Sequence, residues 1–184
     1  MNFYLIANLI HILGALGFFI ALAIETVSLF YARRAESVEQ TLERLRLPKH
    51  MQRLGPLSML LIVASGIYMT VTVWGGVAWI IVALVSLALM VVIALKLGVP
   101  RMAAIEKALA ERQDVSTLKI LLNDWALWLS IELRLSLAFG IIFLMALKPS
   151  LVWSLIIIGV SLIVGVLLSL SMKKPKEAAN ASAS

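Results

Sequence analysis

The chain contains no cysteine. Disulfides, thiolate nucleophiles and cysteine-held metals or clusters are therefore excluded. Charge is scarce as well: Asp, Glu, Lys and Arg make up 14% of the 184 residues, against about 25% in an ordinary soluble domain. Histidine occurs twice, as His11 and His50. The sequence has no carboxylate-rich metal motif, no Ser-His-Asp arrangement and no glycine-rich phosphate loop. Neither Lys nor Arg occurs before Arg33, and the first apolar stretch is too long for the h-region of a secretory signal. It is expected to be a retained helix.

Apolar residues fill the space left by these absences. The chain is 62% hydrophobic with a mean hydropathy of +1.02, more apolar surface than a soluble domain of this length can hide. Five apolar segments predict transmembrane helices at about 3–31, 54–74, 77–98, 125–147 and 151–172, each near the ~20 residues needed to cross a bilayer. Helices are required because a lone strand would leave its backbone polar groups unpaired in lipid. Gly75-Gly76 and Lys148-Pro149-Ser150 are expected as tight turns, and Pro100 as the stop of the third segment. The expected fold is an all-α, five-helix membrane domain over 1–172, with a disordered cytoplasmic tail at 173–184.

The charges set an orientation. Arg33, Arg34, Arg44, Arg46, Lys49 and Arg53 follow the first segment. Arg101, Lys107, Arg112 and Lys119 follow the third, and Lys173, Lys174 and Lys176 follow the fifth, whereas the other side has Lys148 alone. The positive-inside rule then places the N-terminus outside and the C-terminus in the cytoplasm of a bacterial inner membrane. Trp74, Trp79 and Trp153 are expected at the outer boundary, and Trp125 and Trp128 near the inner one. The net charge of +6 reads as topology signal and affinity for anionic lipid at the cytoplasmic face, with no nucleic-acid partner. Residues 36–47 and 100–112 are predicted as short helices packed under the bundle, with Pro100 suited to a first helical turn. A homo-oligomer is compatible with this pattern.

In lipid, helix interfaces favour small and weakly polar residues. Such stripes are Ala7, His11, Gly14, Phe18, Ala21, Glu25 and Ser28 in the first segment, and Ser58, Ser65, Tyr68 and Thr72 in the second. Ala83, Ser86 and Met90 form one in the third, and Ser154, Ser161, Gly165 and Ser169 one in the fifth. Plain helix packing accounts for all of them.

Ionisable groups at membrane depth are costly, so each is a functional candidate. His11 and Glu25 share one face of the first helix but are ~21 Å apart along it. Glu132 and Arg134, two residues apart, point to opposite sides of the fourth. A Glu25–Arg134 ion pair is geometrically allowed, either fixing helix register or handling protons or anions. Glu132 with Asp124 is expected to mark the inner mouth or an interface. His11 either ligates haem or a metal, relays protons, or hydrogen-bonds to a neighbouring helix.

The stretch Leu9-Ile-His-Ile-Leu-Gly-Ala-Leu-Gly-Phe-Phe19 resembles the opening of a broad group of small bacterial membrane proteins. The group includes CopD-type copper-resistance domains, HemJ-type protoporphyrinogen oxidases and integral-membrane families of unknown function. Arg53-Leu-Gly-Pro-Leu-Ser-Met59 and Ala64-Ser-Gly-Ile-Tyr68 are similar to their second helix. The return through Trp79 to Pro100-Arg101, and Phe143-Leu-Met-Ala-Leu-Lys-Pro149, look most like the uncharacterised members. In the HemJ group the early histidine is associated with haem, so the resemblance implies haem association at His11 alone; the third helix, unlike that group's, carries no histidine. Three readings follow: a non-catalytic membrane interaction protein, a haem- or porphyrin-associated protein with His11 as axial ligand, and a small transporter with Glu25 and Arg134 lining a path.

Overall fold

The structure is a computed structural model describing residues 3–172. The tail expected at 173–184 lies outside the described residues. All regular elements among the described residues are helical, and five helical stretches are long and apolar enough to cross a membrane. The spanning helices are α1 (Phe3–Ala32), α3 (Leu54–Met69), α4 (Ala78–Ile93), α7 (Trp125–Leu147) and α8 (Leu151–Ser171). Three shorter helices, α2 (Val38–His50), α5 (Val99–Ala110) and α6 (Val115–Leu122), fill the long connections. Arg33, just past α1, donates a 2.9 Å hydrogen bond to the carbonyl of Met172. The far ends of α1 and α8 are therefore neighbours, and the described chain begins and ends at opposite ends of the bundle.

At one end lie the two short turns, here termed the hairpin end. Gly75 has φ 66, a conformation that glycine adopts without penalty. Lys148 supplies the left-handed residue that closes α7. Its ammonium sits 4.3 Å from the Trp74 ring centroid, so a cation–π contact joins the two turns.

The opposite, basic end has an apolar core of its own. Leu29, Leu45, Ile105, Leu118 and Trp128 pack together there. Trp128 donates its indole N–H to the Leu122 carbonyl at 2.8 Å. The Arg33 guanidinium lies 5.4 Å from the centroid of the same indole and donates to the Asn123 side chain. Ser37 caps α2 by accepting from the Gln40 amide. Asp114 stands before α6 and accepts from the hydroxyls of Ser116 and Thr117, which hold its carboxyl below the usual carboxylate range.

Several expectations need correction. Pro100 does not stop the third span: α4 passes through a π-helical turn, Ala94–Gly98, and continues as α5. Pro100 falls in the first turn of α5, where a missing amide costs least. The inward stripe of α3 runs Ser58, Ile62, Ser65 and Met69, not through Tyr68 and Thr72. Tyr68 is 41% exposed, and Thr72 lies in a second π-helical turn, Thr70–Trp74, where the α-helical spacing no longer applies. Trp128 is 1% exposed, a core residue and not a boundary anchor. The helix α6 had no counterpart in the sequence reading; its buried residues are Leu118 and Leu122.

The spanning helices form two units. α1 packs along α3, while α7 packs along α8 and also carries α4. Close approach within the second unit depends on glycine. A Cβ on Gly165 would lie 3.0 Å from the Leu133 Cα and 3.1 Å from the Glu132 carbonyl, both backbone atoms that cannot swing aside. A Cβ on Gly159 would meet nothing within 4 Å. Gly165→Ala should therefore destabilise the detergent-solubilised protein by about 1–3 kcal/mol through overpacking. Gly159→Ala should be neutral or stabilising by up to about 1 kcal/mol through helix propensity. Thermal melts of the two variants check this; equal effects would show that α7 and α8 do not meet closely at Gly165.

Candidate functional site

The charged residues at depth come first, because lipid leaves them the fewest choices. Glu25 on α1 and Arg134 on α7 form a bidentate ion pair, with Nη1–Oε2 at 3.0 Å and Nη2–Oε1 at 2.7 Å. The Arg134 Nε donates to the Ser130 carbonyl one turn back at 3.1 Å. Side-chain exposure is 11% for Arg134 and 24% for Glu25. Two parallel hydrogen bonds between a carboxylate and a guanidinium fix both orientation and distance. Gly98 packs beside the same turn of α7, where a Cβ would come 3.0 Å from the Ser130 Oγ. This bridge crosses between the two helical units.

Glu132 lies elsewhere. It is 6% exposed and takes no part in the Glu25–Arg134 bridge. Asp124 acts as the cap of α7, accepting from the Ala126 amide at 2.8 Å, and pairs with Arg101 at 3.5 Å. Glu132 and Asp124 thus sit in separate environments.

His11 occupies the other half of the bundle. Its Nδ1 lies 3.1 Å from the Ile62 carbonyl and 3.2 Å from the Ser65 hydroxyl, both on α3. A carbonyl can only accept, and the Ser65 hydroxyl already donates to the Leu61 carbonyl at 2.5 Å. Nδ1 is therefore the protonated nitrogen, and Nε2 keeps its lone pair. The ring lies against Gly66 of α3, where a Cβ would make an ordinary contact with the imidazole Cε1 at 3.4 Å. Gly66 was not singled out in the sequence, nor was the role of Ser65 in fixing the tautomer.

From this histidine towards the bridge the two units leave a gap. Between them lies a cleft of about 350 Å³ lined by α1, α3, α4 and α7, within the ~300–1,000 Å³ usual for small-molecule sites. Its walls are hydrocarbon and aromatic, including Phe18, Trp79, Ala83 and Ile141. Three thioethers, Met69, Met90 and Met145, also face it. His11 is the one titratable side chain among its lining residues, and Thr70 the one hydroxyl. Glu25, Glu132 and Arg134 do not line it. The structure thus separates the sequence candidates into a paired bridge, an isolated carboxyl group and a histidine on an apolar cleft. No family model, curated protein or solved structure matches the chain.

Removing one partner from the bridge would leave a charge unpaired at membrane depth. Glu25→Gln or Arg134→Gln should each cost about 3–5 kcal/mol of stability in detergent. The double variant should recover part of that loss, because no lone charge remains. Chemical denaturation of all four proteins measures the coupling, and strictly additive losses would show the pair to be uncoupled.

Proposed function

We propose that this is a membrane-embedded binding protein that takes a bulky apolar ligand from the bilayer into the cleft, with the His11 Nε2 as its polar anchor. The observation that carries this reading is the imidazole itself. Its Nδ1–H is committed to a backbone carbonyl, and the ring lines an otherwise apolar cleft. A histidine serving only to pack helices would need no cleft beside it.

Haem or a related porphyrin is the narrower form of this reading, with His11 as axial ligand. A ligating imidazole commonly donates its other N–H to a carbonyl, which fixes the ring and raises its basicity, and His11 fits that description. The methionines on the same walls could provide a thioether, and the apolar lining suits a macrocycle. The carboxylates of a porphyrin would have to lie at the mouth, towards Lys148, because no cation lines the cleft. When bound, haem would supply one-electron chemistry; His11 would hold it, and the apolar walls would exclude water.

The transport reading has less support. An ion or polar solute needs polar groups along its path, whereas the cleft is apolar, and Glu25 and Arg134 satisfy each other away from it. The arginine- and lysine-rich end is read as cytoplasmic, facing anionic lipid in a bacterial inner membrane.

Purified protein should release an apolar molecule on solvent extraction, at near-stoichiometric yield by mass spectrometry. Ala15→Phe, which fills the cleft from α1, should reduce that yield at least tenfold. Equal yields from both proteins would overturn the reading. Visible spectra of the same samples, oxidised and then dithionite-reduced, decide on haem: a Soret band that is lost in His11→Ala identifies it.

A further inference from the structure

The cleft does not end at its own wall. A second apolar groove of about 220 Å³ lies in the seam between α3 and α4, bordered by Met59, Ala88 and Val91. Val63, Leu84 and Leu87 border both spaces. The two volumes therefore abut across three side chains. The seam is open because α3 and α4, although joined by the turn at Gly75, pack mainly on other partners: α3 on α1, and α4 on α7 and α8. Leu84, on the shared border, is 37% exposed, and Val91 at the far end is 41% exposed. The route from His11 to lipid thus runs sideways through hydrocarbon.

The order of features along this route is asymmetric. Trp74, Thr70 and the Lys148 contact stand at the hairpin end. His11 follows, and beyond it α4 lines the route with the apolar Ala83, Leu84, Leu87, Ala88, Met90 and Val91, while Ser86 turns its hydroxyl back to the Val82 carbonyl. From Trp79 to Val91 the helix advances about 18 Å. A polar anchor towards the membrane surface followed by a hydrocarbon slot leading inwards has the polarity of a lipid within one leaflet.

Resting on the reading of the cleft as a ligand site, we propose that its ligand is a long-tailed lipid with an uncharged hydroxyl head. In this arrangement the head donates its O–H to the His11 Nε2, and the tail leaves through the α3–α4 seam. The head must be a donor, because Nδ1 already carries the imidazole proton and Nε2 can only accept. It must be uncharged, because no cation lines the cleft and an unpaired anion in an apolar site is costly. The tail is required by the second groove, which a compact ring would leave empty. Quinols and prenols share this chemistry.

Binding in nanodiscs, followed by tryptophan fluorescence at Trp74 and Trp79, tests the proposal. The probes are a decyl-tailed benzoquinol, the corresponding quinone, a tail-less benzoquinol and a prenol of similar length. The tailed quinol should bind at least tenfold more tightly than both the quinone, which lacks the donor, and the tail-less quinol. His11→Phe should abolish the preference for quinol over quinone. Ala88→Phe, which plugs the second groove from a position that does not line the His11 cleft, should abolish the preference for a tail while the tail-less quinol still binds. Equal binding of prenol and quinol would show that the hydroxyl and tail suffice, and tighter binding of the quinol would assign the ring. Equal affinity for quinol and quinone, or no dependence on the tail, would overturn the proposal. A Soret band lost in His11→Ala would also overturn it while leaving the cleft reading intact. Failure of that reading would show instead as an unchanged extract from Ala15→Phe.

Discussion

The bidentate bridge between Glu25 and Arg134 is the constraint on which the rest of the arrangement depends. Water drives soluble helices together, but lipid is as apolar as leucine, so spanning helices associate through close packing and polar contacts. Within each unit, packing is close: α1 lies on α3, and α7 on α8. Between the units it is sparser. Phe19 meets Phe139 at 5.7 Å between centroids, and Leu22 and Ile62 share an apolar layer with Leu137 and Ala138. The charged pair adds direction to this contact. Because both fork geometries must be satisfied together, α1 is held against α7 at one depth and in one rotation.

That fixed point explains where the protein can be open. Below it, Arg33 ties the end of α1 to Asn123 and Met172, and a small core of leucines and Trp128 closes the basic end. Above it lie the Phe19–Phe139 contact with its apolar layer and, between the two turns, the Lys148–Trp74 contact. Held together at the base and bridged at the rim, the two units leave space between them at the level of His11. The cleft is therefore a consequence of how the units are joined, and the histidine is the polar group that this geometry exposes to it.

The parts that were legible in the sequence were those that lipid makes scarce. Five spans could be counted because charged loops and the turns at Gly75-Gly76 and Lys148-Pro149 interrupt them, and Glu25 and Arg134 could be paired because few other charges lie at depth. His11 stood out for the same reason. The cleft was not legible. Ala83 read as a small residue that allows helices to approach, yet with Ala15, Gly66 and Ala138, which were not singled out, it lines a gap where the helices diverge. No residue type distinguishes the two cases, since the difference lies in where the partner helix goes. The π-helical turns at Thr70–Trp74 and Ala94–Gly98 were hidden for a related reason: each adds a residue to the turn without a distinctive composition, yet the first shifts the face that follows it. That shift is why Thr72 turns outward although its spacing from Ser65 placed it inside.

The histidine shows how a tautomer can carry more information than a position. In the sequence, His11 was compatible with ligation, proton relay or a simple helix–helix hydrogen bond. The structure shows that the hydrogen bond is real, to Ile62 and Ser65, and the bland reading would end there. Yet that same bond determines which nitrogen carries the proton. By occupying Nδ1 it leaves Nε2 as a neutral acceptor, so packing and recognition are two sides of one imidazole. A ring whose proton is already committed cannot donate to a ligand. It can only receive a hydrogen bond or bind a metal, and that narrows the chemistry of whatever enters the cleft to a donor or a Lewis acid.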